Sequence, residues 1–200
     1  MKKLKESPKT KEDLLNAAEE LILAKGFSAT SVDEICRAAK LTKGSFFHYF
    51  KSKEELGRVL LERFCCHSQQ KIKDSCCGPK EKTDPLKRVY SYLDGVEAMC
   101  ENTRGCLLGI FAQEMSDSHP KIRSLCAEGF NEWAKILKGD LAAAKARYAS
   151  RASFDPGALA EHCIAIFEGA MVLARAKQDN KVVKRSLEHL RAYLKSLFGK

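Results

Sequence analysis

Apolar residues recur at helical spacing along almost the whole chain, and no stretch shows the strict alternation of a half-buried β-strand. The first amphipathic stretch runs from about Lys9 to Lys25, and one of its faces carries Leu14, Leu15, Ala18, Leu21 and Ile22. A second stretch begins at Ser31, because the Ser31 hydroxyl and the Glu34 carboxylate can form a capping box. The pattern predicts an all-α protein.

The segment from Thr30 to Leu56 predicts a helix, a tight turn and a second short helix. The first of these helices has an apolar stripe at Val32, Ile35 and Ala39. The pattern lapses after Lys40 and resumes at Gly44 with a run of aromatic residues. This arrangement suits entry into a DNA major groove. The alternative is an aromatic-rich helical hairpin with a solvated basic face.

The turn and the second helix of this segment are strongly basic. Between Lys40 and Lys53 there are four lysines and no acidic residue, so the local potential is positive. Side chains of different lengths near the helix start can donate to base edges and phosphates, and they are Lys43, Ser45, His48 and Tyr49. Ser52 can cap the next helix, whose first residue, Lys53, would meet a backbone phosphate.

Residues 26–56, GFSATSVDEICRAAKLTKGSFFHYFKSKEEL, closely resemble the DNA-binding domain of TetR-type transcriptional regulators. The resemblance implies an N-terminal three-helix helix-turn-helix domain over residues 1–56. It implies a larger helical bundle for effector binding and dimerisation over residues 57–200. It also implies a set of side chains that face the operator, Thr42, Lys43, Ser45, His48 and Tyr49, with Thr30 and Lys53 on the flanking phosphates.

Two positions depart from the pattern of the resembled family. Lys40 stands where these regulators usually have a glycine at the turn. Phe47 stands where a tyrosine commonly donates its hydroxyl to a phosphate. Without that hydroxyl, Phe47 would contribute an apolar contact to a thymine methyl group or a sugar, and it remains a candidate DNA-binding residue.

The chain beyond Leu56 predicts helices throughout, at about 53–73, 85–102, 106–115, 120–148, 156–177 and 181–198. The clearest start is Phe154-Asp155-Pro156, which offers a hydrophobic staple, an N-cap and a first-turn proline. In the resembled family the last two helices pair across a two-fold axis to form a homodimer. The alternative is that their wide apolar stripes fill the core of a single chain.

Composition narrows the class of partner. The chain has 200 residues and a net charge of +9, which favours an anionic partner such as nucleic acid. The opening MKKLKESPKTK is not followed by an apolar run, so we expect neither a signal peptide nor an anchor. No apolar stretch is expected to reach the ~18 to 20 residues that cross a bilayer. These features predict a soluble cytoplasmic protein without membrane contact.

Nine cysteines and no export signal predict free thiols in a reducing compartment. The doublets Cys65-Cys66 and Cys76-Cys77, with His67 beside the first, could supply a thiolate metal site. Adjacent helical residues point in different directions, so each doublet would give only one ligand. We therefore expect no bound metal, and a metal-responsive sensor is the weaker alternative.

Cys106 is the cysteine best placed for chemistry. It follows Arg104-Gly105 and would lie in the first turn of a helix, where a thiolate is stabilised. The segment RGCLLGIFAQEMSDSHPKIRSLCAEGF resembles the effector-binding half of a TetR subgroup with a Gly-Cys-Leu motif, in which some members sense reactive species through thiols. Cys106 is therefore a candidate redox or electrophile sensor. The alternative is a cysteine packed beside Gly105 and Gly109.

No catalytic motif accompanies these features. The sequence has no G-x-S-x-G, H-E-x-x-H or phosphate-binding glycine loop, so we expect neither an enzyme nor a cofactor. The prediction is a homodimeric repressor that a small-molecule effector releases from a palindromic, double-stranded operator. An apolar effector pocket is expected among Phe64, Tyr90, Met99, Leu107, Phe111, Met115, Trp133, Phe167 and Met171.

Overall fold

A computed structural model of the chain describes residues 8–76, 84–100 and 105–199. This described part contains nine helices and no strand, which confirms the predicted all-α class. The helices are α1 (Pro8–Lys25), α2 (Val32–Ala38), α3 (Lys43–Tyr49), α4 (Lys53–Cys76), α5 (Pro85–Cys100), α6 (Leu107–Met115), α7 (Pro120–Tyr148), α8 (Pro156–Lys177) and α9 (Lys181–Phe198).

Local side-chain caps decide where two of these helices begin. The Ser31 hydroxyl accepts a hydrogen bond from the Glu34 amide at 3.3 Å, and the Glu34 carboxylate accepts one from the Ser31 amide at 2.9 Å. Asp155 caps α8 by accepting a hydrogen bond from the Ala158 amide at 2.7 Å. Both starts agree with the sequence prediction, because each cap involves residues only three positions apart.

Helices α7, α8 and α9 keep the predicted bounds, whereas the end of α4 and the start of α6 differ from them by one to three residues. α4 continues to Cys76 and α6 begins at Leu107. The predicted end of α5 near Asn102 lies outside the described residues. The predicted break at Cys77-Gly78-Pro79 lies outside the described residues.

One compact unit contains α1, α2, α3, α4 through Cys65, and the segment Leu107–Cys126 with α6 and the start of α7. α1 packs on α2, α3 and α6, so it supports the helix-turn-helix pair α2 and α3. Burial of each large core side chain contributes roughly 1.5–3 kcal/mol. These almost completely buried side chains are Leu14, Leu15, Ile22, Phe27, Ile35, Phe46, Phe50, Leu60, Leu61 and Phe111.

Arg63 ties α4 to α1 within this unit. One guanidinium nitrogen lies 2.7 Å from a Glu12 oxygen and 2.8 Å from the Asn16 side-chain oxygen. The other terminal guanidinium nitrogen lies 2.6 Å from a Glu19 carboxylate oxygen. The Arg63 side chain is only 12% exposed, and its charge-assisted hydrogen bonds connect the two helices.

A second compact unit contains α4 from Cys66, α5, α7 from Ala127, α8 and α9. α9 packs on both α5 and α8. Arg88 pairs with Asp140 at 2.6 Å and links α5 to α7. Met99 on α5, a predicted pocket residue, is 37% exposed. The buried apolar side chains of this unit include Val89, Leu93, Trp133, Leu137, Cys163, Leu187, Leu190 and Leu194.

Helix α8 corrects one expectation about membranes. Its 22 residues are long and apolar enough, by length and composition, to cross a bilayer, whereas we expected no such stretch from the sequence. Within its unit α8 packs on α9, and its buried residues include Ala160, Cys163 and Met171. Such a composition is weak evidence of a membrane span, because a core helix of a soluble protein passes the same test.

Candidate nucleic-acid interface and effector pocket

The short helix α3 presents a mixed polar and apolar surface. Thr42 caps it, because the Thr42 hydroxyl oxygen accepts a hydrogen bond from the Ser45 amide at 3.1 Å. Phe46 is completely buried and anchors the helix in the core. We call the solvent-accessible side the reading face, and it consists of Thr42, Lys43, Phe47, His48 and Tyr49.

The turn before α3 has a left-handed residue although it lacks a glycine. Lys40 has a φ of 55°, in the left-handed region. The Leu41 amide donates to the Cys36 carbonyl at 2.8 Å and the Lys40 amide donates to the Arg37 carbonyl at 3.1 Å, which is a Schellman motif. A left-handed conformation costs a residue with a Cβ atom roughly 1 kcal/mol, so Lys40 adopts this turn at an energetic cost.

Lys43 has an acidic partner that the sequence pattern did not predict. Its ammonium lies 2.7 Å from a carboxylate oxygen of Asp33 on α2. The hydrogen bond to Asp33 raises the pKa of Lys43, so the ammonium stays charged. Both side chains are more than half exposed, at 62% and 55%, so DNA can compete for Lys43.

Two of the predicted DNA-binding residues are buried. Ser45 is 2% exposed, and its hydroxyl lies 3.1 Å from the Thr42 hydroxyl. Thr30 is 1% exposed, and its hydroxyl donates to the Gly26 carbonyl at 2.7 Å. The prediction that these side chains lie at the DNA surface is therefore corrected: the hydroxyls satisfy polar groups inside the unit, and they stabilise the end of α1 and the start of α3.

Lys53 is engaged with the loop between α1 and α2. Its ammonium donates to the Thr30 carbonyl at 2.9 Å and to the Phe27 carbonyl at 3.1 Å. It also lies 4.4 Å from the centre of the Phe27 ring, within the range of a cation–π interaction. An ammonium has three N–H donors, so one remains for a phosphate, and the phosphate contact of Lys53 stays a prediction.

Phe47 is the most exposed large apolar side chain of the described residues, at 55%. Its ring packs edge-on against the buried Phe46 ring, with the ring centres 5.2 Å apart. His48 and Tyr49 form a similar pair, 4.8 Å apart. The packing orients these rings on the reading face, where Phe47 can meet an apolar group such as a thymine methyl.

An apolar pocket, partly open to solvent, lies within the second unit. Three of the predicted pocket residues line it, namely Met99, Trp133 and Phe167. Sequence reasoning missed the other lining residues because periodicity does not distinguish a pocket wall from a filled core. They are Tyr92, Leu93, Val96, Cys163, Ile164 and Leu187.

The remaining predicted pocket residues lie elsewhere. Leu107, Phe111 and Met115 are buried core residues of α6 in the first unit, and the half-buried Phe64 also belongs to that unit. Tyr90 and Met171 are in the second unit but do not line the pocket. The Tyr90 hydroxyl is buried and has no partner among the described residues. Burial raises the pKa of Tyr90.

Cys106 immediately precedes α6 and is 7% exposed. Burial raises the pKa of the nearby Glu168 carboxyl group, and a hydrogen bond from the Cys106 thiol offsets part of that rise. A carboxylate neighbour disfavours a thiolate. The structure therefore gives Cys106 an acidic partner, whereas the sequence suggested a cation, Arg104, which lies outside the described residues.

Within residues 8–76, 84–100 and 105–199, no three His, Cys, Asp or Glu side chains come together as a metal site would require. Cys66 and His67 are exposed and Cys65 is half-buried. Cys77, in the second cysteine doublet, lies outside the described residues.

Two family models match this chain. Residues 14–58 match the model of the tetR family of bacterial regulatory proteins. Residues 85–190 match the model of a tetracyclin repressor-like C-terminal domain. The two matches cover the helix-turn-helix region and most of the helices after it.

Individual proteins similar to this chain are also regulators of transcription. The chain is 31% identical over 170 residues to the transcriptional regulator AcuR of Cereibacter sphaeroides, covering 82% of this chain and 75% of AcuR. It is 26% identical over 177 residues to the HTH-type transcriptional repressor DhaR of Mycobacterium sp., covering 88% of each protein. It resembles the crystal structure of the reduced form of E. coli NemR with a TM-score of 0.75 and 26% identity, covering 92% of this chain and 97% of NemR.

Proposed function

This chain belongs to the TetR family of transcriptional regulators, and we propose that it is a homodimeric repressor that a small effector releases from a palindromic operator. Its relatives are regulators of transcription, and the chain is not an enzyme. We propose a DNA-binding domain over residues 1–56 and an effector-binding and dimerisation domain over residues 57–200. The separate matches of the two family models support this division.

The observation that carries the proposal is the reading face of α3. It combines the Lys43 ammonium with the exposed ring of Phe47 and the polar tips of His48 and Tyr49. Such a face offers donors for base edges and phosphates, and an apolar ring for a thymine methyl. Because α3 is only seven residues long, one copy would contact few base pairs.

A homodimer through α8 and α9 would supply a second reading face. Exposed apolar side chains on these helices support this arrangement: Val172 and Leu173 on α8 are each 49% exposed, and Tyr193 on α9 is 47% exposed. Two reading faces about one helical turn of DNA apart, ~34 Å, would read a palindrome. Dimers are typical of TetR-family regulators.

The apolar pocket lined by Trp133 and Phe167 supports an apolar or aromatic effector. An effector changes DNA binding only if it binds one conformation of the protein more tightly than the other. The effector would therefore favour the conformation in which the two reading faces are wrongly spaced for the operator.

Sequence selection by the purified protein from random DNA tests the proposal. A palindrome with half-sites about one turn apart should be enriched. Lys43→Ala should weaken the sequence preference, whereas the matched control Lys135→Ala, at a 76% exposed lysine on α7, should select the same palindrome as the parent. Selection without enrichment of any sequence would reject the proposal.

A second candidate is a thiol-based regulator that responds to an oxidant or an electrophile through Cys106. The likeness to NemR, a repressor crystallised in a reduced form, supports it. Operator binding by Cys106→Ser, with and without diamide, tests this candidate against the control Cys126→Ser. A Cys106→Ser variant that responds to diamide as the parent does would reject it.

TetR-family DNA-binding regulators are soluble proteins that act in the cytoplasm. We propose the same location for this chain. The apolar composition of α8 fits a helix that packs on α9 and carries part of a dimer interface.

A further inference from the structure

The loop between α1 and α2 is held from two sides within the first compact unit. On one side, the Glu114 carboxylate of α6 accepts hydrogen bonds from the backbone amides of Ser28, at 2.6 Å, and Phe27, at 3.3 Å. On the other side, the Lys53 ammonium of α4 donates to the carbonyls of Thr30 and Phe27. An anionic group and a cationic group therefore contact the same short stretch of backbone.

The peptide group between Phe27 and Ser28 makes both contacts. Its N–H, which belongs to Ser28, donates to Glu114, and its C=O, which belongs to Phe27, accepts from Lys53. Hydrogen bonds at the two ends of one peptide group polarise it in the same direction and strengthen each other. The peptide group thus bridges a carboxylate on α6 and an ammonium on α4.

The close approach of Glu114 depends on Gly26. This residue has a φ of 95°, and an added Cβ atom would clash with a Glu114 carboxylate oxygen. The Phe27 ring lies beside the Phe111 ring of α6, with 4.9 Å between the ring centres. The same Phe27 ring faces the Lys53 ammonium. The Phe27 ring therefore packs against both α6 and Lys53, which are also the two partners of the Phe27–Ser28 peptide group.

We propose that Glu114 is a positioning residue for DNA binding, because it holds the Phe27–Ser28 peptide group that orients Lys53 toward a backbone phosphate. This inference rests on the proposed DNA-binding function. Glu114 would not touch DNA itself. Its effect would reach DNA only through Lys53, so the strength of one phosphate contact depends on the position of α6.

A double-mutant cycle on the full chain tests the proposal. Glu114→Gln keeps the size of the side chain and removes its charge, and Lys53→Met keeps the packing on the Phe27 ring and removes the donors. With a mixed-sequence DNA duplex, Glu114→Gln should weaken binding by roughly two- to fivefold and reduce the slope of log affinity against log salt by up to about 0.9. In the Lys53→Met background, Glu114→Gln should have no further effect.

Two further variants keep the test decisive. Glu114→Asp retains the charge and withdraws the carboxylate by one methylene group, so it should weaken binding in the same Lys53-dependent way, with the thermal midpoint confirming a folded chain. Glu128→Gln removes the same charge at an exposed position on α7 and should leave binding unchanged.

If Glu114→Gln reduced DNA affinity equally in the parent and in the Lys53→Met background, the inference would be overturned, even if the parent binds DNA normally. An unchanged salt slope in Glu114→Gln would also overturn it. A parent chain that binds no duplex would reject the proposed function, and this inference with it.

Discussion

The ammonium of Lys43, at the start of α3, lies 2.7 Å from the carboxylate of Asp33 on α2. Lys43, the residue best suited to contact a base edge, is thus paired with an acidic side chain in the absence of DNA. Because both side chains are largely exposed, the pair is weak and readily exchanged for a phosphate or a guanine edge. Asp33 would compete with DNA for Lys43.

We expect Asp33→Asn to strengthen binding to all duplexes by a few-fold at low salt, because it frees Lys43 and removes a repulsive charge near the phosphates. Fluorescence anisotropy at several salt concentrations measures the effect. Asp117→Asn, the same change at another exposed aspartate, should have a smaller effect. An Asp33→Asn variant that binds no better than Asp117→Asn would contradict the competition between Asp33 and DNA.

Lys40→Gly should raise the free energy of unfolding by about 1 kcal/mol, because glycine adopts the left-handed conformation at φ 55° without the Cβ clash. Urea unfolding measures the change. Lys40→Ala keeps the clash and removes the charge, so it should not stabilise the protein. If both variants were equally stable, the strain assigned to Lys40 would be wrong.

Low pH should destabilise the N-terminal end of α2. The hydrogen bond from Lys25, together with those from Ser31, lowers the pKa of Glu34 from 4.5 to about 2. A depressed carboxyl pKa contributes stability above the ordinary pKa and loses it as the pH falls through the folded-state pKa. The thermal midpoint of Glu34→Gln should therefore lie below the parent's at neutral pH, and this difference should shrink between about pH 4.5 and 2.

High salt should also reduce the difference between Glu34→Gln and the parent, because the Lys25–Glu34 pair is exposed to solvent. A difference in thermal midpoint that stays constant from neutral pH to pH 2 would show that the charge of Glu34 does not stabilise α2.

The single tryptophan of the chain, Trp133, lines the apolar pocket. Binding of 1-anilinonaphthalene-8-sulfonate should therefore quench the Trp133 emission through energy transfer. Val96→Phe should fill part of the pocket and weaken the binding severalfold. Ala143→Leu adds a similar volume at an exposed position on α7 and should leave the quenching unchanged. Equal quenching in both variants would place the dye outside this pocket.

Leu173→Glu should convert the dimer to a monomer at micromolar concentration, because it adds a charge to the exposed apolar surface of α8. Sedimentation velocity measures the oligomeric state. Ala142→Glu, at an exposed position on α7, is the matched control and should remain dimeric. A parent chain that sediments as a monomer would rule out the proposed dimer.

Most of the fold can be predicted from the sequence, because helix starts and stops depend on local chemistry. The Ser31 capping box and the Asp155 cap involve residues three positions apart, and proline begins α7 and α8. The pocket could be predicted only in part. Met99 and Trp133 line it, whereas Leu107 and Phe111 have the same apolar character but fill the core of another unit.

By itself, the sequence determined the helices, the helix-turn-helix segment and the positive charge around it, because all three depend on neighbouring residues. Only the tertiary structure decided which donors face solvent. It buries Thr30 and Ser45, and it brings Glu114, more than eighty residues away along the chain, to the loop that Lys53 contacts. Side chains so distant in sequence meet only when the helices pack, so no local pattern records their contact.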